Sequence, residues 1–262
     1  MSSTKLTKNI AQLLRSLSLK KYREEQNLFI VEGWNSISEI MNSKIEIEIL
    51  VSTENQNQDI LKKAKQLTKS YFYATENEIN KISNTKTSQG ILAAVKPIDK
   101  SADFIFNQSK KNKIIVALDS ISDPGNLGSI IRTCDWYGID ALFISKNSVE
   151  LYNPKVVQAT MGSLFHLLIS CNIDLNNKID EAKKNGFTII GTDVHGKNIL
   201  SKELFNPQKK YLIVFGNEAH GIDKSLKNKI DKYITIPKFG KAESLNISVS
   251  VGVILSSLKI NE

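Results

Sequence analysis

Apolar residues recur along the N-terminal third of the chain with helical spacing in some segments and strand spacing in others. Five of them at helical spacing predict an amphipathic helix: Leu6, Ile10, Leu13, Leu14 and Leu17. Short apolar runs predict strands over residues 28–31, 45–51 and 91–95. Thr75 and Glu78 have the spacing of a capping box, which opens a further short helix toward Ile82. This mixture predicts a small α/β unit.

Longer apolar runs in the second half of the chain predict a different kind of sheet. They cover residues 114–118, 141–144, 164–169, 187–190 and 211–215. Such continuous runs are typical of parallel strands that are buried on both faces. Helical stretches fit between them, and this alternation predicts an α/β fold with a parallel sheet.

The pattern of residues 245–260 supports two interpretations. Ile247, Val249, Val251 and Val253 alternate with serine and glycine, which is a strand pattern. The length of the segment, with no turn signal inside it, favours a helix. A helix this apolar would be buried or would lie in a subunit interface.

The length of 262 residues suggests about two domains. The strong apolar pattern fades between residues 97 and 112, where lysine, asparagine and serine dominate. We therefore expect an N-terminal domain over residues 1–97, a linker over 98–112 and a C-terminal domain over 113–262.

Charge and composition narrow the class of partner. The formal net charge of +8 favours a polyanion, most simply a nucleic acid. Cys134 and Cys171 form no CxxC pair, and the three histidines stand apart, so we expect no metal site and a reducing cytoplasm. No apolar run approaches the roughly 18 residues needed to span a bilayer, so we expect no membrane contact.

Three polar segments each follow a predicted strand. They cover residues 123–132, 216–221 and 236–246. Taken singly, each has an ordinary interpretation as a turn or a helix cap. Because ligands of open α/β sheets bind at the carboxyl ends of strands, their shared position predicts one common site.

Together these segments resemble the three motifs of the SPOUT methyltransferases, in the TrmH (SpoU) branch. The first motif is an Asn-x-Gly loop followed by arginine, here Asn126 to Gly128 and then Arg132. The second is Gly-x-Glu-x-x-Gly, here residues 216–221, and the third is Ile-Pro…Ser-Leu-Asn, here within residues 236–246. The N-terminal half resembles the substrate-binding domain of the same branch, which is similar in fold to a small RNA-binding ribosomal protein. That second likeness is carried by Arg15, Lys20, Lys21, Tyr22, Arg23, Phe29, Val31, Glu32 and Gly33.

The resemblance implies methylation of a ribose 2′-hydroxyl in structured RNA, with S-adenosylmethionine as the methyl donor. It also implies an α/β trefoil knot around the cofactor pocket, a homodimer, and a helix over residues 245–260. Ribosomal RNA is the favoured substrate because of the separate N-terminal domain, and transfer RNA is the alternative.

The resemblance assigns roles residue by residue. The residues implied in catalysis are Arg132, Asn126, Glu218, Ser244 and Asn246. The residues implied in cofactor binding, largely through the backbone, are Gly216, Ile236, Leu245, Thr192 and Asn217. The residues implied in RNA binding are Arg15, Lys20, Lys21 and Arg23, with Tyr22 or Trp34 as a stacking platform.

Two other classes of protein are alternatives to this one. A Rossmann dehydrogenase, or a Rossmann-like methyltransferase, would need G-x-G-x-x-G, whereas Gly125 and Gly128 are spaced G-x-x-G. A non-catalytic RNA-binding or ribosome-assembly protein would be favoured by loss of Arg132 or Glu218, and both are present. The chain departs from the family pattern at Cys134 and Trp136, where small residues are usual, and at Lys238-Phe239, where methionine is common.

Overall fold

The computed structural model describes residues 4–54, 56, 58–85, 87–98, 104–107, 112–199, 205–206 and 208–260. Most of the predicted linker, residues 98–112, lies outside these ranges. The chain forms two compact units, one built from residues 1–99 and 151–166 and the other from residues 100–150 and 167–262.

The elements of the N-terminal part alternate between short strands and short helices. They are β1 (Thr4–Lys5), α1 (Lys8–Ser16), α2 (Lys20–Gln26), β2 (Phe29–Glu32), α3 (Trp34–Asn42), β3 (Ile47–Ser52), α4 (Gln58–Gln66), β4 (Thr68–Tyr73), α5 (Glu76–Ile82) and β5 (Ile91–Val95).

The remaining elements continue that alternation with longer strands. They are α6 (Phe104–Asn107), β6 (Lys113–Leu118), α7 (Pro124–Trp136), β7 (Ala141–Ser145), α8 (Pro154–Thr160), a 3₁₀ turn (Ser163–Phe165), β8 (Ile169–Ile173), α9 (Leu175–Lys184), β9 (Phe187–Asn198), β10 (Lys210–Phe215), α10 (Lys224–Lys227), β11 (Lys232–Thr235) and α11 (Ile247–Ile260).

The first unit is built around a five-stranded sheet of order β1-β4-β3-β5-β2, in which only β5 runs antiparallel. The predicted capping box is present, because Thr75 and Glu78 each accept a hydrogen bond from the other's backbone N–H. Helix α8 packs against β2 in this unit, and the ring of Tyr152 lies 4.3 Å from that of Phe29.

The second unit contains a fully parallel sheet of order β11-β9-β10-β6-β7-β8, which confirms the predicted fold class. Residues 114–118 of β6 are all buried, as their continuous apolar run predicts, and Lys113 at the start of the strand is buried as well. The carboxyl ends of β6, β10 and β11 lie along one edge of this sheet, and each leads into one of the three polar segments. The trefoil knot itself stays a prediction.

Two sequence patterns were resolved by tertiary packing. Residues 164–169 were predicted as a strand, and this is wrong: the left-handed Met161 and Gly162 turn the chain into the 3₁₀ turn, and β8 begins only at Ile169. The last segment is the helix α11, not a strand. Its buried residues recur at helical period on the face toward α7: Ile247, Val251, Ile254, Leu255 and Leu258.

Candidate active site

The first motif loop begins α7 at the end of β6. The carboxylate of Asp123 accepts a hydrogen bond from the Asn126 N–H at 2.7 Å, and Pro124 occupies the first turn. Helix α7 buries its apolar face, which leaves Asn126 half-buried and Arg132 exposed. Within the described part of the chain, Arg132 makes no hydrogen bond or ion pair.

The second motif loop is shaped by its own backbone. Asn217 and Gly221 exchange two backbone hydrogen bonds of 2.9 Å, and Gly221 has a φ of 67°. The Asn217 amide donates to the Ser120 carbonyl at 2.8 Å and accepts from the Ala219 N–H at 2.8 Å. This arrangement leaves Glu218 exposed at the tip of the loop.

Gly216 is required by the way this loop folds back on itself. A Cβ atom at Gly216 would lie 2.2 Å from the carbonyl carbon of Gly221 and 2.2 Å from the backbone nitrogen of Ile222. Neither backbone atom can move aside as a side chain could. The requirement for glycine therefore arises within the loop, before any ligand binds.

We expect Gly216→Ala to lower the melting temperature of the protein, because the added methyl group overlaps backbone. Overpacking of this kind costs about 1–3 kcal/mol, which corresponds to several degrees for a unit of this size. The matched control is Gly240→Ala, where an added Cβ meets no atom within 4 Å. Equal melting temperatures for the two variants, measured by calorimetry, would contradict the clash.

The third motif loop ends in the cap of α11. The Asn246 side-chain oxygen accepts from the Ser248 N–H at 2.9 Å and from the Val249 N–H at 3.4 Å. The ordinary interpretation of Ser244 as a helix cap does not hold, because α11 begins at Ile247 and is capped by Asn246, while Ser244 stays exposed.

One chain of hydrogen bonds joins the three loops. The Asn246 amide nitrogen donates to the Asn126 side-chain oxygen at 3.0 Å, and the Asn126 amide nitrogen donates to a carboxylate oxygen of Glu218. The donor and the acceptor of the first bond are fixed. The side-chain oxygen of Asn246 already caps α11, so only the NH₂ group of Asn246 can face Asn126, and it must donate. The structure thus brings together Asn126, Glu218 and Asn246, and neither Arg132 nor Ser244 belongs to this chain.

Four of the five predicted cofactor residues lie in the second and third motif loops, and the fifth, Thr192, lies on β9. Ile236 is half-buried, and Leu245 is 49% exposed. The main-chain groups of residues 238–245 make no hydrogen bond to any described residue. Apolar side chains beside unused N–H and C=O groups are what a purine ring with a polar edge requires, so this loop fits the adenine of S-adenosylmethionine.

The other predicted cofactor residues have structural contacts of their own. The Thr192 hydroxyl donates to the Val214 carbonyl at 3.2 Å, and the side chain of Asn217 holds its own loop. Gly216 is buried.

Asp119 supports the site and was not singled out from the sequence. It is 5% exposed at the end of β6, and its carboxylate accepts from the Asp223 N–H at 2.8 Å and from the Ser120 hydroxyl at 2.9 Å. It thereby ties the end of the second motif loop to the strand that precedes the first. An acidic residue directly after a buried apolar run was the available signal.

The cysteines offer no reactive thiolate. Cys134 is buried, and this burial raises the pKa of its thiol. Cys171 is exposed on β8, but partial desolvation still raises the pKa of its thiol, so both thiols stay protonated at neutral pH. Among the described residues no group of three His, Cys, Asp or Glu side chains is placed to hold a metal ion. No helix in the described ranges is long and apolar enough to cross a membrane.

The predicted RNA-binding residues do not share one environment. Arg15, Lys20 and Lys21 are exposed, and the two lysines lie 3.6 and 3.7 Å from Glu24 and Glu25. Exposed pairs of this kind are weak, so both lysines can exchange partners with a phosphate.

Arg23 is a correction to the sequence prediction. It is 5% exposed, and its guanidinium donates to the carbonyls of Leu17 and Ser18 at 2.8 and 2.9 Å. It stabilises the turn between α1 and α2 and is not available to a phosphate. The indole of Trp34 is likewise engaged, with Gln56, while Tyr22 is 37% exposed.

Known proteins share both halves of this architecture. Residues 113–256 match the SpoU rRNA methylase family, and residues 8–93 match the MRM3-like substrate-binding domain. The chain is 30% identical over 94% of its length, and 94% of that protein's, to the 23S rRNA (guanosine(2553)-2′-O)-methyltransferase RlmP of Bacillus subtilis.

Two solved structures extend the likeness to the whole fold. An AdoMet-bound rRNA methyltransferase from Sinorhizobium meliloti superposes with a TM-score of 0.86 at 25% identity, covering 98% of this chain and 96% of that one. The SpoU methyltransferase AviRb from Streptomyces viridochromogenes, in complex with AdoMet, has the same fold with a TM-score of 0.84 at 23% identity, over 97% of this chain and 98% of that one. With the three motif loops joined as described, the chain belongs to the SpoU rRNA methylase family.

Proposed function

We propose that this protein transfers the methyl group of S-adenosylmethionine to a ribose 2′-hydroxyl of ribosomal RNA in the cytoplasm. The observation that carries the proposal is the hydrogen-bond chain from Asn246 through Asn126 to Glu218, which holds all three family motifs in one place. The similarity to RlmP supports ribosomal RNA over transfer RNA, because that relative is named for 23S rRNA.

The cofactor supplies an electrophilic methyl group on a sulfonium, so the protein has to position the ribose and help its hydroxyl lose a proton. Arg132 is suited to the first task, because an exposed guanidinium binds phosphate in a bidentate manner. Its positive charge also favours ionisation of a nearby hydroxyl, although the guanidinium itself does not accept a proton. Correct placement of the reacting groups alone lowers the activation barrier of such reactions by several kcal/mol.

Asn126 positions the carboxylate of Glu218, and Asn246 in turn holds Asn126. The amide of Asn126 donates to one carboxylate oxygen, which leaves the other to orient the ribose or an arginine. Ser244 is exposed two positions before Asn246, and we assign to it contact with the substrate hydroxyl. We assign RNA anchoring in the N-terminal domain to Arg15, Lys20 and Lys21.

The test uses RNA from cells with and without this gene. Purified protein and methyl-labelled S-adenosylmethionine should label ribosomal RNA from deletion cells, and ribosomal RNA from wild-type cells should accept almost none. Mapping of 2′-O-methyl groups then identifies the nucleotide. Labelling of transfer RNA alone would replace the proposed substrate, and labelling of neither RNA would refute the function.

We further propose that a second copy of the chain covers the exposed apolar face of α7 and α11. Trp136 is 84% exposed, Val249 is 50% exposed and Val253 is 39% exposed, on two helices that pack together. Gly252 lies between the two valines in sequence, and among the described residues a Cβ atom there would meet only the side chain of Thr133 on α7, at 3.9 Å. An exposed apolar patch of this kind marks an interaction site.

We expect light scattering to give twice the 29.3 kDa chain mass for the wild type and the single chain mass for Val253→Lys. Methyl transfer by the Val253→Lys variant should also fall. Arg132 lies one helical turn before Trp136 on the exposed side of α7, so loss of the dimer changes the surroundings of the arginine. The control is Val194→Lys, which places the same charge on a valine that is 70% exposed on β9. A wild-type protein of 29.3 kDa at micromolar concentration would count against the dimer.

A further inference from the structure

Phe239 is the most exposed of the large apolar side chains in the described residues, with 92% of its surface accessible. It lies in the loop between β11 and α11, and the pair Lys238-Phe239 stands where methionine is common in the family pattern. An aromatic ring left in water forgoes the burial that stabilises such side chains elsewhere. Its position therefore suggests a contact with something outside this chain.

The surroundings of Phe239 are basic and open. Lys238 and Lys241 are both exposed and make no ion pair with any described residue, while Glu243 offsets one of their charges. A Cβ atom at Gly240 would meet nothing within 4 Å, so no side chain crowds the tip of the loop. Exposed lysines beside an aromatic ring match a polyanion that carries flat bases.

The same loop also belongs to the active site. It contains Ser244, and it ends at Asn246, whose amide is hydrogen-bonded to Asn126. A group bound by Phe239 is thus held by a segment anchored directly to the candidate catalytic residues. A nucleotide that binds Phe239 would therefore lie next to the target ribose, so this contact could select the RNA sequence beside the methylation site.

We propose that Phe239 stacks on an unpaired base of the RNA next to the target nucleotide, with Lys238 and Lys241 on the flanking phosphates. The assignment rests on the proposed function and adds a specificity residue to it. RNA is recognised chiefly through unstacked bases on aromatic rings, while phosphate contacts fix the register. A protein partner fits less well, because lysine is depleted in the cores of protein interfaces.

The experiment compares Phe239→Ala, Phe239→Leu and Phe239→Trp in binding to unmodified ribosomal RNA transcribed in vitro, without cofactor. Loss of one stacked base weakens binding about 5- to 150-fold, so the alanine and leucine variants should lose affinity in that range. The tryptophan variant should bind as the wild type does, because it keeps a π-face. In methyl transfer, the alanine and leucine variants should show a raised KM for RNA with kcat nearly unchanged.

Three results would each overturn the assignment. The first is wild-type RNA affinity in the leucine variant, since leucine keeps apolar contact but cannot stack. The second is an equal loss of S-adenosylmethionine affinity by calorimetry, which would place the ring over the cofactor. The third is loss of the dimer by light scattering. RNA binding is measured without turnover. A failure of the Phe239 assignment can therefore be distinguished from a failure of the proposed methyl transfer.

The lysines are tested by salt dependence. Each phosphate contact on a single strand contributes about 0.7 to the slope of log K against log salt, so Lys238→Gln and Lys241→Gln should each reduce the slope by that amount. Lys184→Gln is the matched control, an exposed lysine at the end of α9 and so at the opposite edge of the sheet. Equal slopes for all three variants and the wild type would remove the lysines from the proposal.

Discussion

Replacement of Arg132 by alanine is expected to reduce methyl transfer to RNA about 10²- to 10⁴-fold, the range for loss of a group that assists proton transfer. The affinity for S-adenosylmethionine should stay nearly unchanged, because Arg132 is exposed on α7 and makes no hydrogen bond or ion pair with the described residues of the loop that fits the cofactor. Labelled methyl transfer and calorimetry measure the two quantities separately. Full activity in the variant would refute the assigned role.

Lysine should not substitute for this arginine. The chain has 35 lysine and arginine residues, and only Arg15, Arg23 and Arg132 are arginine. A protein that uses lysine almost everywhere has kept a guanidinium where two parallel hydrogen bonds to a phosphate are useful. We expect Arg132→Lys to remain strongly impaired. The control, Arg15→Ala, should raise the KM for RNA and leave kcat unchanged.

Asn126→Asp is expected to reduce methyl transfer about 10- to 100-fold, the range for loss of a hydrogen bond to a charged group. The new carboxylate can still accept from Asn246, but it cannot donate to Glu218, so two carboxylates face each other. The change adds a negative charge and almost no volume. It therefore tests the direction of the hydrogen-bond chain and not its packing.

The pH dependence of this variant provides its internal check. Repulsion by Glu218 raises the pKa of the introduced carboxyl above its ordinary value. Below that raised pKa the group carries a proton and can donate again, so the deficit relative to the wild type should shrink as pH falls. Asn176→Asp, at another asparagine of the same unit, should show no such profile. A deficit independent of pH would contradict the proposed hydrogen bond.

The local sequence pattern was sufficient to predict a structural element where that element depends only on residues close to it in sequence. The apolar runs of β6 and β10 predicted buried parallel strands because a strand covered on both faces has no polar side to show. The capping box of α5 could also be predicted from the sequence, because its two partners are three residues apart. The motifs likewise stand in order along the chain, and their resemblance to a known family required no coordinates.

Tertiary structure decided everything that depends on which groups meet. Glu218 and Asn246 are 92 and 120 positions from Asn126, and no local pattern states that one amide bridges them. Arg23 carries the same charge as Lys21, but only the fold reveals that carbonyls of the preceding turn surround it. Residues 247–253 alternate like a strand, but they belong to the helix α11, which packs against α7. The amino-acid pattern alone was therefore enough to predict the parallel sheet and to identify its motif loops. The partner of each side chain was settled only by folding, because a hydrogen bond or a buried face depends on distance in space.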